Sequence, residues 1–397
     1  EHALKACSVS GPRNSPSCGV CGRKLVKNGS TSAGRTRWRC KTCGASFTQS
    51  RPDITRKAQL VAFGAWLLDG RKPGELATST RTFFRETAWC WNITIPPPPP
   101  STTPADVLML DGTYFQSWCL LIAFDGRHVI DWQWCDREKK IAWQQILARQ
   151  PAPKVAVIDG GTGLQAALAE DWPHTRIQRC YFHIFQTVRR HHTYRPRLDA
   201  GREIRSLTRA LMNIRNPDQA VLWLGAYNDW EQRWDSFLRH RTYARAHTTR
   251  PTGVPEHRTW WYTHRDLRMT RGMFRRLITG NQLFTWIDPA LTTEDHPLHR
   301  TTSPLEGGPN KALKDLFRAH RGLPTEHARR AAEWTLNSLT THPHQPWTLV
   351  RPQHYNPPPA RPASTPEDDH IGPDMGTHFS WEDGNGIQTG WAGRSRR

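Results

Sequence analysis

Val107-Leu108-Met109-Leu110-Asp111-Gly112-Thr113 and Val155-Ala156-Val157-Ile158-Asp159-Gly160-Gly161-Thr162-Gly163 are two apolar runs that each end on an Asp-Gly step. Runs of four apolar residues followed by turn formers read as short buried strands rather than helices. Between them, Trp118 to Phe124 and His128 to Cys135 read as two further strands joined by an Asp125-Gly126 hairpin turn. A helix is expected from Lys139 to Arg149, another from Thr162 to Glu170, and a short strand near Arg176 to Cys180. Three hairpin strands, a helix, a strand, a helix and a strand make an α/β unit, a mixed sheet with helical cover.

Asp111 and Asp159 are each expected at a strand end. Two carboxylates at the ends of neighbouring strands repel one another, and a divalent cation removes that cost. With a third acid, such a pair holds two ions about 3.5–4 Å apart, one activating an attacking hydroxyl and the other stabilising the leaving oxygen. The same two aspartates also suit a strand-end turn or a helix cap. The third acid is Glu306, in Thr301-Thr302-Ser303-Pro304-Leu305-Glu306-Gly307-Gly308-Pro309-Asn310, with Lys311, Lys314, Arg318, His320 and Arg321 following on a basic helix. A Glu among cations is ordinarily a salt-bridged surface group; alternatively the cations hold phosphates while the acid meets metal.

Towards the N-terminus, Cys18-Gly19-Val20-Cys21 and Cys40-Lys41-Thr42-Cys43 form two C-x-x-C steps. That spacing lets four thiolates close a tetrahedron on one structural Zn2+, a zinc ribbon. Arg35, Arg37, Trp38 and Arg39 lie between the steps and are candidate DNA contacts. Leu60, Phe63 and Leu67 then recur at helical spacing, Asp69-Gly70 breaks the chain, and Ser79 caps a helix from Thr80 through Phe84 to Trp89. This is a helix-turn-helix-like pattern in which Arg81 is a further DNA candidate, although a plain helical hairpin fits it too.

The organisation expected is a ribbon over 1–50, the helical DNA-binding domain over 51–95 and a Pro-rich linker over 96–104. The core follows over 105–183, a helical insertion over 184–298, the last part of the core with Glu306 over 299–340, and a Pro-rich disordered tail over 341–397. Trp223, Tyr227, Trp230, Trp234 and Phe237 fall on one stripe of a helix in the insertion, as core or subunit interface before base stacking.

With 55 Lys and Arg against 35 Asp and Glu, the net charge of +20 favours a polyanion, above all nucleic acid. Nine cysteines, an odd number with four in C-x-x-C steps, point to metal rather than disulfides. The sequence has no membrane-length apolar run and no apolar signal core, so a cytoplasmic protein without a membrane partner is expected.

Taken together, Asp111-Gly112-Thr113-Tyr114, Ile158-Asp159-Gly160-Gly161, Cys180-Tyr181-Phe182-His183, Thr301 to Glu306 and Arg318-Ala319-His320-Arg321-Gly322 resemble the transposases of the Mutator-like superfamily, bacterial insertion-sequence members included. The resemblance spans about Leu108 to Gly322. It implies a ribonuclease-H-like core interrupted by an all-helical insertion, with Asp111, Asp159 and Glu306 matching the DDE acids that hold Mg2+ or Mn2+. Cys180 and His183 match a Cys-x-x-His element, for which a packed, hydrogen-bonded pair and a metal-ligand pair both stand. Ser303-Pro304 departs from the family's usual third motif.

The expected function is metal-dependent cleavage and strand transfer at insertion-sequence ends. The partners are double-stranded DNA and a second copy of the chain, at least a homodimer, near the bacterial nucleoid. A transposase-derived DNA-binding regulator without catalysis, and a structure-specific nuclease, are the rivals.

Overall fold

The computed structural model describes residues 18, 21–32, 34–48, 52–77, 79–115, 118–245, 248–291 and 298–355. Gly19 and Val20 of the first C-x-x-C step, and the tail from residue 356 onward, lie outside the described residues. The chain divides into two compact units, residues 1–66 with 73–87, and residues 67–72 with 88–397. None of the described helices is long and apolar enough to cross a membrane.

In the first unit, β1 (Leu25–Ser30), β2 (Thr36–Cys40) and β3 (Ser46–Thr48) form an antiparallel sheet in that order. Its small core is Cys18, Leu25 and Cys40, with Trp38 and Ala45 packed against it. Alternation along β2 therefore turns Trp38 and Cys40 inward and leaves Arg37 and Arg39 exposed on the other face.

Helices α1 (Pro52–Leu67), α2 (Pro73–Leu76) and α3 (Thr80–Thr87) follow. Ser79 caps α3 by accepting from the Thr82 N–H at 3.1 Å. Trp66 stands at the centre of an aromatic group, with ring centroids 5.7 Å from Phe63, 5.7 Å from Phe83 and 5.3 Å from Phe84. The helix expected to run on to Trp89 stops at Thr87, where a 3-10 turn takes over.

The second unit is built on a five-stranded mixed sheet of order β6-β5-β4-β7-β8. Its strands are β4 (Val107–Phe115), β5 (Trp118–Phe124), β6 (Val129–Cys135), β7 (Val155–Ile158) and β8 (Arg176–Arg179). The first three pair antiparallel, whereas β4, β7 and β8 run parallel. Helices α4 (Lys140–Leu147) and α5 (Thr162–Asp171) make the two crossovers and cover one face, on Leu108, Leu110, Ala156 and Ile158. The opposite face, with Met109, Ile122 and Val157, is covered by Leu305, Leu313, Ala332 and Leu336 from much later in the chain.

Asp111 does not end its strand, as the sequence suggested. β4 continues to Phe115 because Gly112 to Phe115 still pair with β5, so Asp111 lies opposite Ile122 inside the ladder. What ends just before it is the parallel pairing, whose last register pair is Leu110 with Ile158.

Residues 181–298 carry α6 (Tyr181–His192), α7 (Asp199–Leu211), α8 (Pro217–Leu238) and α9 (Arg265–Thr279) around their own core. The aromatic stripe of α8 is mostly interior. Trp223, Tyr227 and Trp230 are buried, and the Trp223 and Trp230 indoles donate to the carbonyls of Leu207 and Ala200 at 2.7 and 3.0 Å. This segment is not all-helical: β9 (Arg241–Tyr243) and β10 (Trp260–Tyr262) pair antiparallel between α8 and α9. The β-branched and aromatic residues Thr242, Tyr243, Trp260, Trp261 and Tyr262 suit a pleated pair better than a helix.

The chain returns to the sheet through Arg300, whose carbonyl accepts from Tyr181 N at 3.0 Å. There follow α10 (Ser303–Gly307), α11 (Pro309–Ala319), α12 (Thr325–Ser338) and the short α13 (Pro346–Leu349). Order therefore persists beyond residue 340. Asn337 and His344 exchange hydrogen bonds at 2.8 and 3.0 Å, and Asn92 donates to the His354 carbonyl at 2.8 Å.

Candidate active site

The strand register brings Asp111 and Asp159 together. Each is one residue beyond the Leu110–Ile158 pair, and each shares the parity of a residue, Met109 or Val157, that faces α11 and α12. Asp111 thus leaves the sheet on the face that α10 and α11 cover, and Asp159, just past the end of β7, lies near enough to act on its charge. Asp159 is fixed by the N–H of Gly161, which donates to its Oδ1 at 2.9 Å. Asp111 accepts from Asn310 Nδ2 at 3.2 Å, while Asn310 Oδ1 accepts from the Thr113 hydroxyl at 2.8 Å. Asn310 is buried in the first turn of α11, so it ties that helix to the strand carrying the first acid.

Glu306 stands on the one-turn helix α10, on the same side. Its Oε1 is 3.9 Å from His183 Nε2 and accepts from the Thr302 hydroxyl at 3.2 Å. Thr302, fully buried, also directs its N–H and its hydroxyl to Cys180 Sγ, both at 3.3 Å. Cys180 begins α6, so this contact joins the point where the chain leaves the sheet to the point where it returns. Cys180 and His183 are therefore brought to the acids as a packed pair. Burial pushes the Cys180 thiol up, but His183 and the Thr302 donors more than offset it and hold it below its usual range.

A fourth acid escaped the sequence reading. Gly112 faces the α4 side of the sheet, and a Cβ added there would lie 2.3 Å from the Glu138 carboxyl carbon. Glu138 fills the space that a side chain at 112 would take, directly behind Asp111. A Cβ at Gly163 would likewise lie 2.4 Å from the Glu138 carbonyl oxygen, so the first turn of α5 locks the backbone of this residue. In sequence, Asp136-Arg137-Glu138-Lys139-Lys140 looks like a solvated charge run. Only the missing side chain at Gly112 hints otherwise.

The electrostatics follow from this crowding. Burial, then Asp159, push the Asp111 carboxyl up to about 7, with Glu306 adding and His183 and Asn310 opposing. Burial, then Asp159 and Asp111, hold Glu138 well above the usual carboxylate range. For His183, burial works to lower the imidazole, but Cys180, Asp111 and Asp159 prevail and raise it to about 9. A buried carboxyl crowded by further acids in this way is matched to a bound cation. Their oxygens stand further apart than those of a single-ion cage: among the described residues, the four cysteines are the only group of three or more His, Cys, Asp or Glu whose ligand atoms all lie within 4.8 Å of one another.

Those four are Cys18, Cys21, Cys40 and Cys43. Sγ separations of 3.6 Å for Cys18–Cys43 and 3.5 Å for Cys21–Cys40 compare with about 3.8 Å along the edge of a tetrahedron with Zn–S bonds of about 2.3 Å. Each knuckle is closed by a backbone turn, Gly22 N to Cys18 O at 2.8 Å and Gly44 N to Cys40 O at 3.0 Å. The Cys43 N–H directed at Cys40 helps draw that thiol down to about 6, as a thiolate ligand requires. The residues present fit a zinc ion.

The expected DNA contacts fall on both units of the chain. Arg35, Arg37 and Arg39 are exposed on the β2 hairpin, Trp38 is half-buried on its other face, and Arg81 is exposed at the start of α3. In the second unit Lys311, Lys314, Arg318 and Arg321 are exposed on and just after α11, with Asp315 pairing Lys311 at 2.6 Å and Arg318 at 3.1 Å.

Residues 111–187 match the MULE transposase domain, a Mutator-like family. The matched stretch holds Asp111, Glu138, Asp159, Cys180 and His183 and stops short of Glu306 and of the cysteine cluster. It supports a transposase-type function, with DNA as the partner in general terms. No curated protein matches the chain.

Proposed function

We propose that the chain is a DDE transposase that cuts the ends of a mobile DNA element and joins them to target DNA. The observation that carries this is the crowding of Asp159 and Glu306 on the buried Asp111 carboxyl, in a chain whose residues 111–187 match a transposase domain. The three acids would hold Mg2+ or Mn2+, and Glu138, whose charge Asp159 and Asp111 oppose, is a further candidate beside them. Such ions, when bound, supply the charge that activates an attacking oxygen and stabilises a departing one.

The remaining side chains position. Asn310 orients Asp111, while Thr302 and His183 hold Glu306 at the neck of the inserted segment. On this reading the sheet is the ribonuclease-H-like core, and the segment after β8 is its insertion. Lys311, Lys314, Arg318 and Arg321 offer cations to phosphates beside the acids. A zinc-held ribbon carrying Arg35, Arg37 and Arg39, with Arg81 on α3, reads the element ends. Synapsis of two such ends requires at least a dimer.

The test is a nicking assay on supercoiled plasmid carrying the element ends, with Mg2+, with Mn2+ and with chelator. Metal-dependent nicking by the wild type, absent from Glu306→Gln, is the expected result. End binding without nicking under any metal condition would sink the catalytic reading.

A further inference from the structure

Away from the acids, the inserted segment holds a cavity of about 310 Å3 lined by Asp235, Arg239, Arg241, Tyr262, Arg268, Arg271 and Arg275. Five arginines reach it from three elements. Arg239 closes α8, Arg241 lies on the β9–β10 hairpin, and Arg268, Arg271 and Arg275 follow one another at helical spacing on one face of α9. No part of the proposed chemistry uses them.

Acids answer only part of this charge. Asp235 pairs with Arg271 at 3.0 Å and with Arg239 at 2.5 Å, and Glu231 pairs with Arg275 at 2.5 Å. Two carboxylates against five guanidiniums leave the site strongly positive. Arg241 and Arg268 have no carboxylate within ion-pair distance among the described residues. They lie instead over aromatic rings, Arg241 at 4.0 Å from the Trp260 centroid and Arg268 at 3.5 Å from that of Tyr262. Arg268 Nη1 donates to the Leu238 carbonyl at 3.0 Å, and the other N–H groups of guanidiniums held over rings are weakly hydrated and pre-oriented, which suits them to fork a phosphate oxygen pair. Trp260 pairs with Tyr243 in the hairpin, and Tyr243 is exposed, so an aromatic surface continues from the cavity outward.

We infer that this cavity is a phosphate-binding site that takes the phosphodiester backbone of DNA. A purely structural ion cluster would be expected to balance its charge, because unneutralised like charges held together oppose the fold. An extended polyanion balances it and also meets the exposed ring of Tyr243. The inference rests on the reading that DNA is the substrate of the acid site, and it gives the inserted segment a role in holding that DNA.

The test uses the full chain and a labelled duplex of mixed sequence, with affinity measured by anisotropy over a series of salt concentrations. Arg241→Gln and Arg275→Gln remove exposed pocket charges, and Arg209→Gln removes an exposed charge on α7 outside the pocket. Circular dichroism checks that each variant is folded. Each pocket variant is expected to weaken binding on the order of 5-fold and to reduce the slope of log affinity against log salt by about 1, with Arg209→Gln nearly unchanged. Pocket variants indistinguishable from Arg209→Gln would overturn the assignment. So would protection of the wild type from melting by orthophosphate or dAMP with duplex affinity unaltered in the variants, which would mark a site for free phosphates. A wild type that binds no duplex at all would instead fail the DNA reading on which the inference stands.

Discussion

Cys180 Sγ accepts both the N–H and the hydroxyl of Thr302, each at 3.3 Å, across 122 residues of sequence. The Thr302 hydroxyl has one hydrogen and two acceptors, Cys180 and Glu306, so it can serve the acid while its N–H still satisfies the thiol. Cys180, where the chain leaves the sheet, thereby holds Thr302, which positions Glu306 where the chain returns. Thr302→Val keeps the N–H and removes the hydroxyl. It is expected to leave DNA binding intact, slow metal-dependent cleavage on the order of 10-fold, and raise the Mg2+ concentration needed for half-maximal rate. A variant with wild-type metal dependence would show that the threonine only packs.

The acids should repel one another when no metal is bound. In chelator, Asp111→Asn is expected to melt at a higher temperature than the wild type, because burial and Asp159 oppose the Asp111 charge. Adding Mg2+ should raise the melting temperature of the wild type and move that of the variant less. Equal shifts in the two proteins would place the ion elsewhere.

Gly112→Ala probes Glu138 without touching an acid. The added Cβ would collide with the Glu138 carboxyl, which must then leave its place behind Asp111. Cleavage should fall at least 10-fold, and Glu138→Gln in the wild-type background should reproduce the direction of the change. Full activity in both variants would remove Glu138 from the site.

How far the sequence discloses these features depends on whether they are local. The strands at 107–110, 118–124 and 155–158 are legible because continuous apolar runs have no other use at that length, and Ser79 is legible as a cap. Asp111 was misplaced at a strand end because Gly112 to Tyr114 look like a turn, although their pairing with β5 keeps them extended. Glu138 and Asn310 were missed for a different reason. Each is a polar residue in a polar stretch, and only the packing of α4 and α11 against the sheet turns it toward Asp111. The β9–β10 pair escaped because its two three-residue strands are far apart in sequence and neither alternates long enough to signal a sheet.

The inserted segment carries its own pH dependence. His192 is buried, with Nε2 2.8 Å from the Thr270 hydroxyl, and burial followed by His191 lowers it to about 4. Its folded value lies below the ordinary 6.5, so the unfolded chain binds the proton first. The stability contributed by the neutral ring is present above about pH 6.5 and is lost as pH falls towards 4, by up to about 3 kcal/mol. Denaturant melts of the wild type and His192→Gln at pH 7.5 and pH 4.5 should show a gap that narrows at the lower pH. A constant gap would contradict the assignment.

On the proposed function, Asp111, Asp159 and Glu306 together carry out strand cleavage and joining on DNA. Its most direct test is to incubate the purified chain with a labelled element-end duplex and a target plasmid in Mg2+, wild type beside Asp159→Ala. Joined product is expected from the wild type alone, with both proteins binding the end duplex equally. Joined product from Asp159→Ala, or end binding by both proteins with joining by neither, would contradict it.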